Sequence, residues 1–202
     1  MIITKIEKVK RKNRYEVYAD GGLVGTMSAD MILTYRLSQG KEIAAEDLVA
    51  MMEKSACSDA WTTLLTCLSS KAYTVKMARD KLKDQGFEDK AVEYALDKAI
   101  GYNYINDEEY AKELLMELCS KRSTRRIKQD MYQRGLSGAY VEELLSLNDE
   151  SEACKYSLER KLHGKLLDKE NELKVMNYLA GQGFGYDTIR ETVSAYKEGC
   201  DE

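Results

Sequence analysis

The sequence predicts a mainly α-helical protein, in which a small N-terminal β-strand and helix module precedes three tandem three-helix repeats in an elongated array. Its 202 residues contain no proline, the residue that breaks helices most strongly. Apolar residues recur at helical spacing beyond residue 60. Three segments also end in a glycine followed by a large apolar residue, and these glycines, Gly86, Gly135 and Gly183, lie 49 and 48 residues apart. That period is typical of stacked helical units.

The N-terminal residues have the pattern of a small β-sheet. RYEVYA alternates as a strand does, Asp20-Gly21-Gly22 is expected to form a turn, and LVGTM to return as the second strand of a hairpin. ITKIEKV is expected to add a third strand. Ser28 is predicted to cap a helix from Ala29 to Ser38, which Gly40 stops. A further helix, from about Ala45 to Lys54, would link this module to the repeats.

Each repeat is expected to contain three helices, so the predicted domains are 1–59, 60–107, 108–149 and 150–202. Helices of the first repeat are marked by Trp61, Leu64, Leu65 and Leu68, by Val75, Ala78 and Leu82, and by Val92, Ala95, Leu96 and Ala99. Those of the second are marked by Tyr110, Leu114, Leu115 and Leu118, by Ile127 and Met131, and by Val141, Leu144 and Leu145. Those of the third are marked by Cys154, Leu158 and Leu162, by Val175 and Leu179, and by Ile189, Val193 and Tyr196.

The junction between the first two repeats has stop and start signals. Asn103 stands where a helix must end, and asparagine is the next-best residue after glycine for a left-handed turn. Asn106 is predicted to cap the following helix, with Glu109 at capping-box spacing. The run from Asn106 to Glu109 could instead bind a metal ion, but capping explains every residue without a ligand.

Composition is that of a folded chain, 44% apolar and 33% charged, without an apolar run that could span a bilayer. The basic start lacks the apolar stretch of a secretory signal, so a cytoplasmic location is expected. Cysteines 57, 67, 119, 154 and 200 are widely spaced and form no C-x-x-C pair. We expect small buried apolar side chains in a reducing compartment rather than disulfides or a zinc site.

The candidate binding surface is the stretch SKRSTRRIKQDMYQRG, residues 120–135, which holds six cations and one acid in a chain of net charge −4. On a helical projection Thr124, Ile127 and Met131 form a buried stripe. The outward face is predicted to bind a partner or phosphates through Lys121, Arg122, Arg125, Arg126, Lys128 and Tyr132.

Charged runs are usually solvated helix faces. Such faces normally mix signs, because like charges three or four residues apart cost about 0.2–0.5 kcal/mol per pair. No acidic partner is expected on this face, which favours a binding role. Arginine outnumbers lysine here, and its planar group suits carboxylates and phosphates.

The first repeat has a weaker basic pattern, which we treat as a secondary basic face. Asp80 and Asp84 dilute its charge, so the alternatives are a groove continuous with the second repeat or ordinary mixed surface charge. The cations of this face are Lys71, Lys76, Arg79 and Lys83.

Catalytic patterns are absent from the sequence. His163 is the only histidine and lies beside Gly164, where a turn is expected. G-x-S-x-G, P-loop and H-E-x-x-H patterns do not occur, and the glycines at 181, 183 and 185 follow a helix rather than a strand. No catalytic residue, metal or cofactor is therefore expected.

Several motifs resemble the RecX family, the bacterial regulators of the RecA recombinase. Y-I-N-D-E-E-Y-A from Tyr104 to Ala111 is similar to that family's junction between repeats. LKDQGF and MYQRGL resemble its repeated elements, LSSKAYTVKMARDKL its first-repeat signature, and SADMILTYRLSQG with the preceding strands its N-terminal module. Four residues depart from the family pattern: Asn103 and Ser123, where glycine is frequent, and Asp130-Met131 in place of Glu-Leu.

The resemblance implies a non-catalytic protein that lodges in the groove of a RecA–single-stranded DNA filament. It would thereby block strand exchange, ATP turnover and co-protease function. A monomer without membrane contact is expected, and the basic face could meet acidic RecA surface or DNA phosphates. The alternatives are a stand-alone helical DNA-binding protein that uses the basic helix of the second repeat, and a protein–protein scaffold unrelated to recombination.

Overall fold

The computed structural model describes residues 1–9, 14–164 and 167–198. Within these ranges the chain forms three strands followed by ten helices. The strands are β1 (Ile3–Lys8), β2 (Arg14–Ala19) and β3 (Gly22–Ser28). The helices are α1 (Ala29–Thr34), α2 (Ala45–Leu68), α3 (Val75–Asp84), α4 (Asp89–Gly101), α5 (Asp107–Leu118), α6 (Thr124–Gln133), α7 (Ala139–Ser146), α8 (Ser151–Leu162), α9 (Lys169–Gly181) and α10 (Tyr186–Glu198).

The three predicted strands are present, and they form an antiparallel sheet in the order β1-β2-β3. Asp20 and Gly21 both have positive φ, 50° and 83°, which gives the tight turn between β2 and β3. Val17 and Met27 are fully buried, so one face of the sheet packs on the adjoining helices.

The predicted ends of the first two helices are wrong. Ser28 caps α1 as expected, with its hydroxyl accepting from Met31 N, but the helix ends at Thr34 and Arg36 takes a left-handed φ of 48°. The expected helix over 45–54 and the first helix of the first repeat are one continuous helix, α2. No glycine lies between residues 45 and 68, so nothing in the backbone ends the helix at Lys54. The predicted domain boundary at residue 59 therefore lies inside α2.

Polar contacts hold the sheet on α2. Arg14 forms an ion pair with Asp59 at 2.8 Å, and the amide of Ser28 donates to the buried hydroxyl of Ser55 at 3.1 Å. Burial raises the pKa of Asp59, and the nearby Arg14 charge opposes that rise. Leu48, on the same helix, is fully buried in the core under the sheet.

The chain divides into two compact units, Met1–Ile105 and Asn106–Glu202. The first contains one core under the sheet and a second formed by α2, α3 and α4. The second contains one core formed by α5, α6 and α7 and another formed by α8, α9 and α10. The division into four domains stays a prediction. In the described part of the chain, no helix is long and apolar enough to cross a membrane.

The repeated glycines end α3, α6 and α9 in the same way. Gly86, Gly135 and Gly183 have φ of 85°, 84° and 92°. After each one, the next amide bonds to the carbonyl five residues back, as in Leu136 N to Met131 O at 2.9 Å. This pattern is the Schellman motif, in which glycine relieves the strain of the left-handed residue.

The predicted junction signals are confirmed. Asn103 has a left-handed φ of 56°, and the Asn106 side chain accepts from Glu109 N at 3.1 Å, which caps α5. His163 ends α8 in a left-handed conformation and is exposed, as expected for a turn residue. Asp168 and Asn171 form a full capping box that begins α9.

Replacing Gly86→Ala should destabilise the first unit by about 1–2 kcal/mol, because an L-residue pays that cost in the left-handed region. An added Cβ at Gly86 meets nothing within 4 Å, so only the backbone is tested. Gly101→Ala is the matched control, since its Cβ also meets nothing within 4 Å and it lies within α4. The control should stabilise by about 0.5–1 kcal/mol. Urea unfolding of both variants measures the difference, and an equal effect would contradict this account.

Candidate functional site: the basic surface of the second unit

Helix α6 carries the centre of the predicted binding surface. Ile127 and Met131 are fully buried, as the projection predicts, and the opposite face is left to solvent. Ser123 begins the helix, with its hydroxyl accepting from Arg126 N at 3.4 Å. The same hydroxyl donates to the carbonyl of Gln182 at 2.7 Å, so one buried serine both caps α6 and joins it to the end of α9.

Glu150 fixes the start of α6 from a second side. Its carboxylate accepts from Thr124 N and from Gly185 N, both at 2.9 Å. A carboxylate there is favoured by the partial positive charge of the helix N-terminus. Gly183 allows this close approach, because a Cβ added there would lie 3.0 Å from the Ser123 hydroxyl and 3.4 Å from the Arg125 stem. The Arg125 side chain is therefore held at its base while the residue remains exposed.

Two of the predicted residues do not lie on the helix. Lys121 and Arg122 are exposed in the turn before α6, because the Ser123 cap starts the helix after them. Placing them on the same helical projection was wrong. We call the six predicted residues the basic surface, and they are Lys121, Arg122, Arg125, Arg126, Lys128 and Tyr132.

The expectation that this face has no acidic partner is wrong for two of its cations. Arg122 pairs with Asp130 of α6, and Lys128 pairs with Glu142 of α7 at 2.6 Å. Tyr132 also donates to Glu142, at 2.8 Å. The projection considered α6 alone, whereas Glu142 arrives from the next helix.

Three cations of the basic surface are exposed and are not neutralised by a carboxylate of the described residues. Lys121, Arg125 and Arg126 are exposed, and over residues 1–9, 14–164 and 167–198 none of them forms an ion pair with a carboxylate. Cations without a carboxylate partner can bind an incoming anion without first breaking an ion pair, which favours them as the binding residues.

A groove of about 630 Å³ opens beside α6, and four of its lining residues are cations. Arg160 of α8 joins Lys121, Arg122 and Arg126 there, with Glu117 as the acid on the wall. Two tyrosines complete one side, Tyr156 and Tyr178. The Arg160 guanidinium lies 5.8 Å from the Tyr156 ring centre, which orients it through a cation–π contact.

The predicted site did not include Arg160, Tyr156 or Tyr178, because the third repeat has little basic character where its sequence matches α6. Tyr156 and Arg160 are four residues apart on α8, so they share a helix face. This four-residue spacing is the one feature of the sequence that could have indicated that Tyr156 and Arg160 act together. Their approach to α6 is a tertiary feature that no local pattern in α8 encodes.

The secondary basic face of the first unit is largely neutralised. Lys76 lies 3.4 Å from Asp80, Lys83 lies 2.9 Å from Asp89, and Arg79 pairs with Glu93. Lys71 lies over the ring of Tyr73, 4.8 Å from its centre. These contacts favour the mixed-charge alternative for this face, and a groove continuous with the second repeat stays a prediction.

One ion pair occupies the same place in two repeats. Arg79 pairs with Glu93 in the first, and Lys128 with Glu142 in the second, each acid 14 residues after its cation. Both pairs join the second helix of a repeat to the third. The acids could have been found by aligning the repeats, because 49 residues also separate Glu93 from Glu142.

Cysteines 57, 67, 119 and 154 are free thiols, and Cys200 lies outside the described residues. Burial raises the pKa of Cys57 and Cys154, which disfavours the reactive thiolate. Among the described residues, no group of three or more His, Cys, Asp and Glu side chains could hold a metal ion.

Replacing Lys128→Gln should raise the pKa of Glu142. Hydrogen bonds from Lys128 and then Tyr132 hold that pKa below its ordinary value. The stabilisation from this contact is therefore present above the ordinary glutamate pKa and is lost as pH falls through the lowered one. Carbon-13 NMR of the carboxyl groups measures the titration. Lys174→Gln, on exposed α9 surface, should leave it unchanged, and an unchanged Glu142 curve in the Lys128 variant would contradict the contact.

Comparison with known proteins places the chain in a family. Residues 1–44 match the model of the regulatory protein RecX N-terminal domain. Regulatory protein RecX of Caldanaerobacter subterraneus subsp. tengcongensis is 31% identical over 199 residues, which cover 96% of this chain and 99% of that protein. Regulatory protein RecX of Clostridium botulinum strain Eklund 17B is 27% identical, with 95% and 94% covered.

Two solved structures share the fold. A crystal structure of regulatory protein RecX has a TM-score of 0.66 and 24% identity, and the match covers 94% of this chain and 98% of that one. A structure of RecX from Lactobacillus salivarius has a TM-score of 0.61 and 21% identity over 70% of this chain and 96% of that one. The sheet, the glycine-ended helices and the full-length likeness to curated relatives agree, and the chain belongs to the RecX family of regulatory proteins.

Proposed function

We propose that this protein is a non-catalytic inhibitor of the RecA recombinase, which binds in the groove of the RecA–single-stranded DNA filament. It would block strand exchange, ATP turnover and co-protease function, and would favour loss of the filament. The chain belongs to a family of regulatory proteins, which supports a regulatory role for this protein. The observation that carries the proposal is the cluster of cations around the α6 groove, in a chain of net charge −4.

The chemistry of this surface suits an anionic partner that is large. Arg126 and Arg160 present planar groups that bind carboxylates or phosphates through two hydrogen bonds. A filament offers the same site on every protomer, so modest contacts to two adjacent protomers would combine into strong binding. Such binding needs no enclosed pocket.

Charge reversal of Arg125 and Arg126 to Glu should abolish most inhibition of RecA ATP hydrolysis. Both side chains are exposed, so folding should persist, which circular dichroism checks. The control is Lys54→Glu with Arg190→Glu, which makes the same charge change at exposed positions on α2 and α10. Loss of inhibition in both double variants would point to net charge alone, and full inhibition by the Arg125/Arg126 variant would overturn the site assignment.

A stand-alone DNA-binding protein is the second candidate, and Tyr156 and Tyr178 beside the cations favour it. Proteins that bind single strands combine a cationic groove with aromatic side chains on which bases stack.

Salt titration of DNA binding without RecA separates the two candidates. Neutralising five or six duplex phosphates should cost about a thousandfold in affinity between 50 and 200 mM salt. Fluorescence anisotropy with labelled DNA measures the slope. If the protein binds DNA only when RecA is present, or with a flat salt response, the stand-alone candidate is removed.

A further inference from the structure

A cluster of aromatic side chains lies on the surface of the first unit, where its Trp61 also packs against the core formed by α2, α3 and α4. Trp61 of α2 faces Tyr102 and Tyr104, which follow α4. The Trp61 ring centre lies 6.0 Å from that of Tyr102 and 6.2 Å from that of Tyr104, and the two tyrosine rings are 5.7 Å apart. With Tyr94 and Lys98 of α4, we call these residues the aromatic patch.

The left-handed turn at Asn103 builds the patch. It ends α4 with the amide of Tyr104 bonded to the carbonyl of Ala99 at 2.8 Å. The chain therefore reverses between Tyr102 and Tyr104, and both rings come to lie against Trp61. The patch is thus set by regular secondary structure and a defined turn.

The patch exposes a large contiguous aromatic area. Tyr102 is 58% exposed, Tyr104 55% and Tyr94 46%. Single exposed apolar side chains are common, but clustered ones mark contact surfaces. Tryptophan and tyrosine are the residues that contribute most to binding at protein interfaces.

The charge of the patch defines what would fit it. Lys98 Nζ lies 4.7 Å from the Trp61 ring centre and 5.8 Å from that of Tyr94, so the rings hold the ammonium group. In the described part of the chain, no carboxylate pairs with Lys98. A partner carboxylate beside an apolar or aromatic side chain would complement this arrangement.

We propose that the aromatic patch is a second docking surface, which binds a protein that presents an apolar or aromatic side chain next to a carboxylate. A nucleic-acid strand fits less well, because the patch has Lys98 as its cation, whereas single-strand binding needs a cationic track along the backbone. The inference rests on the proposed function only in taking RecA as the partner to test, and it uses none of the basic surface.

Trp61 makes a direct test practical, because it is the only tryptophan in the chain. Protein made with 5-fluorotryptophan gives one fluorine-19 NMR signal, whatever the partner contains. The full chain is titrated with RecA assembled on single-stranded DNA, and in parallel with the same DNA alone. The expected result is that the Trp61 signal shifts or broadens with the filament and not with bare DNA.

Variants identify the residues responsible. Tyr104→Ser and Lys98→Glu should each weaken filament binding by about tenfold or more, the size typical of central interface residues. Tyr186→Ser and Lys54→Glu are matched controls at exposed positions outside the patch and should bind as the parent does. Circular dichroism checks that each variant is folded.

Each other outcome overturns the inference in a recognisable way. If the parent binds and both patch variants bind equally well, the patch is wrong and the proposed function stands. If the parent protein does not bind the filament, both the inference about the patch and the proposed function are wrong. A signal change with bare DNA assigns the patch to nucleic acid, and a change with protein concentration alone assigns it to a second copy of the chain.

Discussion

A left-handed residue after the second helix of each repeat is the constraint on which the helical part of this protein depends. Only glycine takes that conformation cheaply, and it stands there three times, in Gly86, Gly135 and Gly183. The turn sends the next apolar side chain, Phe87, Leu136 or Phe184, into or against the core of its own repeat. The third helix can then pack on the second. Without this reversal, the amphipathic helices would have no partner for their apolar faces.

The third of these turns also serves the binding surface. Gly183 lies against Ser123, and Glu150 bonds both Thr124 and Gly185. The start of α6 is therefore fixed by contacts to another repeat of the same unit. Such support keeps exposed arginines in a defined place at their backbone while their charged groups remain in water. A helix held only by its own caps would present the same residues less reproducibly.

Local features of the fold were predictable from the sequence, and tertiary ones were not. The hairpin turn at Asp20, the cap at Asn106 and the left-handed Asn103 each depend on a few adjacent residues, so their patterns indicated them correctly. The partners of Arg122 and Lys128 were missed, because one lies eight residues on and the other on α7. Arg160 was missed for the same reason. A helical projection shows which face a residue occupies, but it cannot show what another helix brings to that face.

The continuity of α2 has a consequence for how the N-terminal sheet relates to the rest of its unit. This 24-residue helix buries Leu48 under the sheet and Leu64 in the next core, so one continuous helix contributes to both cores. At 1.5 Å per residue the helix is about 36 Å long. A force or displacement applied to the strands would pass along it to the first helical repeat, with no hinge in between. Loss of the sheet would expose Leu48 near the start of this helix to water, so the strands cover part of the helix on which the first repeat is built.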